Sequence, residues 1–482
     1  MENPQPWFLN IKLEKKVSQS LPENSIEILR FLSSKDAFLV GGCLRDHLLG
    51  SPIKDIDILV IGNENGIDNF FLEKEFTRIV LSKKEPVVRY LKQGFSYDLT
   101  FCKINSENKT TFIDNLKKRD FTINSLAIPL QEFDSQEVTL IDPTGGLSDL
   151  KAGRIRCFNP KNMVSDPIRL LRAFRLQCLL KFKIDIYTLE QIKANTSLIN
   201  KVSFERIRDE LSTIMEEESF TTIMQLSDIG LLGEIFPELS LGKEMLQGPY
   251  HDNDVLTHSL NTLKELEKLL VTEYPGWFMS DINLKMASGR KYIFLLKLSA
   301  LLHDIGKPLC LNYQNGKVSF TGHDKVGGVL ALKVGLRLKL SKKESQILKK
   351  LIENHLRAGY LTDLQFISDK AKRRLIAALG DDLGGALLLF LADALATRSE
   401  ARGYFSSYIK FCQDLIKFKN SRPRLKKLLL NGNEIMKIFS LKPGKEVGRL
   451  TAILKKAQEE GIVKNKKQAK DYLIRFVKQN TE

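Results

Sequence analysis

The sequence predicts an α+β head followed by a mostly α-helical remainder, on three observations. Strand-like apolar runs, AFLV, IDILVIG, FTRIVL and SYDLTFC, alternate with turn residues and short helical pieces between Asp36 and Leu130. From about Leu147 the apolar period becomes helical, as in DPIRLLRAFRLQCLLKF and FERIRDELSTIMEE. Five of the six histidines (His251, His258, His303, His323, His355) then fall in one helical region of about 105 residues, and the chain turns basic after Ala401. These shifts divide the 482 residues into 1–146, 147–240, 241–400 and 401–482, in keeping with domains of roughly 100 to 200 residues.

Composition narrows the class. With 43% hydrophobic and 27% charged residues the chain can bury cores, which excludes a wholly disordered or collagen-like protein. The longest apolar run, Leu387 to Ala396, is interrupted by Asp393 and falls short of the roughly 20 residues a membrane span needs, so no membrane partner is expected. The start, MENPQPWFLNIKLEKK, has no basic residues followed by an apolar run, so it does not read as a signal peptide, and a cytoplasmic location is expected. Cys43, Cys102, Cys157, Cys178, Cys310 and Cys412 are scattered without a CxxC pair and read as reduced, mostly buried residues. The net charge of +16 is uneven: residues 401–482 hold 20 Lys+Arg against 7 Asp+Glu, a balance of +13. Such a tail attracts a polyanion, nucleic acid above all, through counterion release. The plainer alternative is a lysine-rich surface that only aids solubility.

In the head, LVGGCLRDHLLGSPIKDIDILV spans residues 39–60. A strand ends at Gly41-Gly42, a helix begins near Cys43, and a second strand carries Asp55 and Asp57. Alternation sends both carboxylates to one face with Ile56 on the other. Two carboxylates so placed can hold one or two Mg²⁺ ions, as nucleotidyl transfer requires. The glycine pair lets phosphate oxygens approach the backbone at a helix N-terminus, and Arg45 would add a side-chain contact. Alone, a DxD is more often a solvated strand edge and a GG only a turn.

Their ordered combination resembles the nucleotidyltransferase signature of the polymerase-beta superfamily, in the version carried by bacterial-type tRNA nucleotidyltransferases and poly(A) polymerases. Further segments resemble that family in order. Lys118–Ala127 (KRDFTINSLA) is similar to RRDFTINAMA, with Lys118 and Ser125 as departures, and Asp142–Leu147 (DPTGGL) followed by GRIR to the next motif. Asp166–Ala173 (DPIRLLRA) is similar to EDPxRxLRA, and Glu205–Glu210 (ERIRDE) to an ERxxxE helix. The resemblance implies a polymerase-beta-like nucleotidyltransferase head, then neck, body, HD and tail domains, with Asp55 and Asp57 as catalytic metal ligands. Gly41, Gly42, Arg45, Arg119, Asp120, Asn124, Asp166, Arg169 and Arg172 would bind nucleotide. Asp166 and Arg169 sit three residues apart and are expected to point the same way, an ordinary i,i+3 salt bridge being the commoner case. The family implies instead that they read the base of CTP or ATP as a protein template, needing no nucleic acid template.

Asp98 is a possible third carboxylate or a structural one. Ser165 stands where the family usually has Glu. Only 20 residues separate Asp98 from Arg119, so the acidic, glycine-containing segment of full CCA-adding enzymes is shortened, a feature the family links to adding two C residues and stopping.

Leu301–Pro308 (LLHDIGKP) places His303 and Asp304 on an apolar helix, where a polar pair needs partners and a metal ion supplies them. His258, His323, His355 and Asp393 complete a nitrogen and oxygen ligand set on separate helices, with Asp369, Asp381 and Asp382 as nearby competitors for the last place. The set resembles the HD phosphohydrolase superfamily, which implies one or two divalent ions activating water against a phosphoester. Residues 430–463 are similar to the C-terminal module of HD-containing tRNA nucleotidyltransferases, where Lys442, Lys445 and Arg449 would face RNA phosphates or remain solvated charges.

The expectation is a nucleotidyltransferase adding C, A or both to the tRNA 3′ end. Its partners would be tRNA, CTP and ATP, with Mg²⁺ at the head; the oligomeric state is not predicted. The rivals are a poly(A) polymerase, a mainly hydrolytic HD enzyme with an RNA-recognition head, and a noncatalytic RNA-binding protein.

Overall fold

The computed structural model describes residues 7–64, 66–82, 87–92, 94–102, 110–247, 253–272, 276, 285–314, 317–397, 401–421 and 428–479. It divides into two compact units, 1–214 with 228–234, and 215–227 with 235–482.

The first unit is built on an eight-stranded sheet: β1 (Phe8–Lys12), β2 (Ala37–Val40), β3 (Asp55–Ile61), β4 (Thr77–Ser82), β5 (Val87–Lys92), β6 (Phe95–Cys102), β7 (Ala127–Pro129) and β8 (Glu137–Ile141). The order is β1-β8-β7-β2-β3-β6-β5-β4, and β3 runs parallel to β6 while the other pairs are antiparallel. Four of these strands match the apolar runs read from the sequence. β3 alternates as predicted: Ile56 is fully buried, and Asp55 and Asp57 lie on the other, more open face. The parallel register sets Asp57 opposite Asp98, so three carboxylates meet on neighbouring strands.

The DPTGG segment shows why its residue types are needed. The Asp142 carboxylate accepts the N–H groups of Gly146 at 2.7 Å and Leu147 at 3.0 Å, closing the turn that starts the helix Gly146–Lys151. A Cβ on Gly146 would lie 2.1 Å from the Thr122 carbonyl oxygen, so only glycine permits this approach. Asp149, 1% exposed in its side chain, then pairs with Arg154 and Arg156 at 2.8 Å each and ties the turn to the following strand.

The second unit is helical. Its core helices include Val255–Leu270, Tyr292–Leu302, His323–Arg337, Lys342–Glu353, His355–Thr362 and Leu383–Thr397. The stretch Asp369–Thr397 is apolar and long enough to cross a membrane by composition, but 72% of its apolar window is buried in the protein, as in a core helix, and Gly380 interrupts it at φ +59°. The last helices, Gly432–Phe439, Lys445–Glu459 and Lys466–Gln479, share a core of Leu430, Ile435, Leu450, Leu454 and Leu473. None of the six cysteines forms a disulfide among the described residues, and Cys43, Cys157, Cys178 and Cys412 are buried.

Candidate active site and metal centre

Gly41 follows β2 directly and adopts φ +77°, a conformation that favours glycine. A Cβ there would fall 2.6 Å from both Asp57 Oδ2 and Arg119 Nη1, so the carboxylate and the guanidinium crowd the same turn. The Gly42 N–H donates to Asp57 Oδ2 at 3.0 Å. This corrects the expectation that the helix start is open to phosphate, because its second amide already holds the carboxylate. Burial foremost, with Asp98 and Asp55 adding to it, pushes the Asp57 carboxyl up to about 6, against the pull of Arg119 and the Gly42 amide. Asp55 is exposed and accepts from Ser96 Oγ. Asp98 is gripped by Arg89 through two bonds, at 2.7 and 2.6 Å.

A chain of polar contacts runs from this turn into the helices that follow. Arg45 donates to Asp46 at 2.8 and 2.6 Å and to Asn124 Oδ1 at 2.8 Å, so its fork is engaged within the protein. Asn124 in turn donates to Asp120 Oδ1 at 2.9 Å, and Arg172 reaches Asp120 Oδ2 at 3.2 Å. Burial would raise the Asp120 carboxyl, but Arg172, Asn124 and Arg169 outweigh it and hold it at about 2. Glu210 grips Arg172 at 3.2 Å and Arg175 at 2.7 Å.

Asp166 and Arg169 depart from the helical-turn reading. Asp166 lies outside the helix Ile168–Leu180, which Pro167 caps, and has φ −139°, ψ 86°. The two do not pair with each other. Asp166 receives both Nη groups of Arg206, at 2.8 and 2.9 Å, while Arg169 Nη1 donates to the carbonyls of Lys118 at 2.9 Å and Asn162 at 3.2 Å. Ser165 turns its hydroxyl back to the Asn162 carbonyl at 3.0 Å. Residues 103–109, within the shortened segment before Arg119, lie outside the described residues, as does His251.

The second unit gathers His258, His303, Asp304, His323, His355 and Asp393 from five segments of the chain. His258 Nε2 lies 2.9 Å from Asp393 Oδ1 and 3.3 Å from His303 Nε2. His303 Nε2 is 3.2 Å from Asp304 Oδ2, and His323 Nε2 3.2 Å from Asp304 Oδ1. Three imidazoles are oriented alike: Nδ1 of His303, His323 and His355 contacts the carbonyl of the residue three positions earlier at 2.7 to 2.8 Å. That turns each Nε2 inward, and Nε2 of His323 and of His355 is buried without a hydrogen-bond partner among the described residues. Orphaned inward nitrogens beside carboxylates fit a divalent cation. Two triads, His258/His303/Asp393 and His303/Asp304/His355, each bring their ligand atoms within 4.8 Å of one another. Burial works against a charged His303, yet Asp304 and Asp393 outweigh it and raise the imidazole to about 10, whereas burial and His303 push His355 down to about 4. Asp393 joins this cluster, while Asp382 pairs with Lys350 and Asp369 begins a helix beside Arg373. A cavity of about 460 Å³ opens onto it, lined also by Lys307, Phe320 and Tyr360.

Comparison with known proteins finds three families along the chain. The family described as "Poly A polymerase head domain" matches residues 37–156, "Probable RNA and SrmB- binding site of polymerase A" matches 181–241, and "HD domain" matches 255–398. The chain is 28% identical to the A-adding tRNA nucleotidyltransferase of Deinococcus radiodurans, over 92% of this chain and 96% of that one. It is 26% identical to the CC-adding tRNA nucleotidyltransferase of Thermus thermophilus, over 92% and 94%. The chain thus carries a poly(A) polymerase head domain, the RNA-binding segment that follows it and an HD domain, and it is similar to tRNA nucleotidyltransferases over most of its length. It is a nucleotidyltransferase. Its fold is shared with the Thermotoga maritima CCA-adding enzyme complexed with tRNA, at a TM-score of 0.58 and 21% identity over 97% of this chain and 99% of that one.

The head residues of this nucleotidyltransferase also fit a divalent ion, since three carboxylates lie on one face of neighbouring strands and the Asp57 carboxyl is raised first by burial and then by Asp98 and Asp55, with Arg119 the cation that opposes them. Sequence reading gave no role to Arg89 or Lys307 and named Arg206 and Glu210 only as positions of the ERxxxE motif, without their partners. Arg206 and Glu210 lie in the quoted ERIRDE segment, but their partners are about 40 residues away and no spacing rule connects them.

Proposed function

We propose that this nucleotidyltransferase adds nucleotides from CTP and ATP to the 3′ end of tRNA without a template, in the cytoplasm, and that its shortened segment before Arg119 favours adding C residues over completing CCA. The carrying observation is that Asp55, Asp57 and Asp98 share one face of neighbouring strands, with Asp57 at the turn of Gly41, while Asp166 and Arg169 are each fixed by other groups. Asp55 and Asp57 would hold Mg²⁺, which would supply positive charge near the α-phosphate and acidify the RNA 3′-hydroxyl. The residues do the rest. Gly41 leaves room for Asp57 and Arg119 to meet at the turn, and Arg119, beside Asp57, contributes charge to the triphosphate. Arg45 holds Asn124, and Arg172 holds Asp120, so the ribose-facing side chains keep one arrangement. Asp166 accepts from the base amino group and Arg169 donates to its acceptor edge.

In this reading residues 1–146 form the head, 147–240 the neck and body, 241–400 an HD domain, and 401–482 a basic tail contacting RNA phosphates. The HD domain is a metal-dependent phosphohydrolase, holding one or two divalent ions on His258, His303, Asp304, His323, His355 and Asp393. A cation held there would activate water against a phosphoester; the buried, oriented Nε2 atoms support this assignment.

The test is incubation of the protein with Mg²⁺ and each of CTP and ATP. Transcripts ending at the discriminator base, at C and at CC are resolved at single-nucleotide length. Two C residues and no A are expected. A added only to the CC end would reassign it as A-adding, in line with the Deinococcus relative, and full completion would remove the meaning given to the short segment.

A further inference from the structure

We infer that Arg206 is a positioning residue for base selection, holding the Asp166 carboxylate in the orientation from which it reads the incoming nucleotide. The inference rests on the assignment of Asp166 and Arg169 as the base-contacting pair.

The two readers are fixed by different means. Arg169 is anchored by backbone, through the carbonyls of Lys118 and Asn162, and will stay in place as long as the fold does. Asp166 has no such anchor for its carboxylate. It lies between two helices, its side chain is 29% exposed, and the neighbouring Ser165 hydroxyl is spent on the Asn162 carbonyl. A carboxylate in that setting turns about two side-chain torsions, and a turning acceptor cannot discriminate bases.

Arg206 removes that freedom. Nη1 meets Oδ1 at 2.8 Å and Nη2 meets Oδ2 at 2.9 Å, a bidentate pair that sets the plane of the carboxylate as well as its position. Each oxygen keeps a further acceptor site, so a base amino group can still donate, but only in the plane that Arg206 dictates. The placement is systematic. Arg206 and Glu210 are four residues apart on the helix Phe204–Met215 and therefore share a face. Glu210 holds Arg172, which holds Asp120, while Arg206 holds Asp166. One helix face thus positions both the triphosphate-side network and the base reader. Because Arg206 is 48% exposed, its ion pair adds little to stability, and its removal separates selection from folding.

The experiment measures kcat and KM for CTP and for ATP on one tRNA transcript with a defined 3′ end, in wild type, R206Q and R206K. In R206Q the ratio of kcat/KM for the preferred over the other nucleotide is expected to fall about tenfold or more, mainly through KM of the preferred nucleotide, with the melting temperature unchanged. R206K keeps the charge but lacks the fork, and should restore only part of the ratio. A ratio unchanged in R206Q, or both nucleotides losing equally, would overturn the inference. If D166N abolishes the preference while R206Q does not, the base-reading assignment stands and Arg206 alone is refuted. If wild type transfers neither nucleotide, the function itself is refuted and this inference with it.

Discussion

In the head, arginines hold the acidic side chains: Arg89 on Asp98, Arg172 on Asp120 and Arg206 on Asp166. In the HD cluster, Asp304 and Asp393 face imidazoles and Lys307, and the Nε2 atoms of His323 and His355 have no hydrogen-bond partner among the described residues. The difference separates two ways of building a charged site. The head balances its charge internally, so its geometry persists while nucleotides come and go. In the proposed reading a cation completes the HD cluster, so its geometry and its occupancy would be linked.

The comparison can be broken most sharply at Asp55. Asp55→Ala should lower nucleotide addition by about 10³-fold or more, since the charge it contributes acts on the transition state. Circular dichroism should show the fold intact, because Asp55 is exposed and its partner is only Ser96. Full activity in this variant would remove the head from the chemistry. Gly41→Ala should reduce addition by about 10- to 100-fold, because an alanine at φ +77° costs roughly 1–2 kcal/mol and its methyl would push Asp57 and Arg119 apart. Rates measured across a nucleotide titration check it.

The HD side is probed by metal. Chelation should lower the stability of the second unit by about 3 kcal/mol if the ion is normally present at a hundred times its Kd, read as a drop in Tm. His355→Ala should lose metal stoichiometry by elemental analysis. A protein whose metal content and melting ignore both treatments would contradict a resident ion. Back in the head, Glu210→Gln loosens Arg172 and Arg175 together and should cost about 1–3 kcal/mol by denaturant titration, with Arg172 retaining Asp120.

The smallest effect concerns acid. Arg290, Ser288 and the Ser341 cap outweigh burial and hold the Glu344 carboxyl at about 2, below its ordinary 4.5. A lowered folded value means that this stabilisation is complete above about 4.5 and is lost as pH falls towards 2. Glu344→Gln should therefore flatten that part of the acid-unfolding curve and leave the neutral side unchanged in slope.

What the sequence revealed was what is local. Asp55 and Asp57 on one face follow from strand alternation, and Gly41-Gly42 from the turn before a helix. The HD ligands were legible as residue types on apolar helices, but choosing Asp393 over Asp382 required the fold, because only three-dimensional packing hands Asp382 to Lys350. The helical-turn reading of Asp166 and Arg169 failed on a local signal that was present: Pro167 marks a helix start, which puts Asp166 before it. β1, β5, β7 and β8 were missed, β7 having only three residues. The pairing of Arg206 with Asp166 spans 40 positions and has no periodic trace in the sequence.

The most direct test of the account compares product length on a tRNA transcript and on an unstructured RNA of equal length, with CTP and ATP supplied together. The account predicts a short, fixed addition to tRNA and none to the other RNA. Long A tails on both would contradict it and make the chain a poly(A) polymerase.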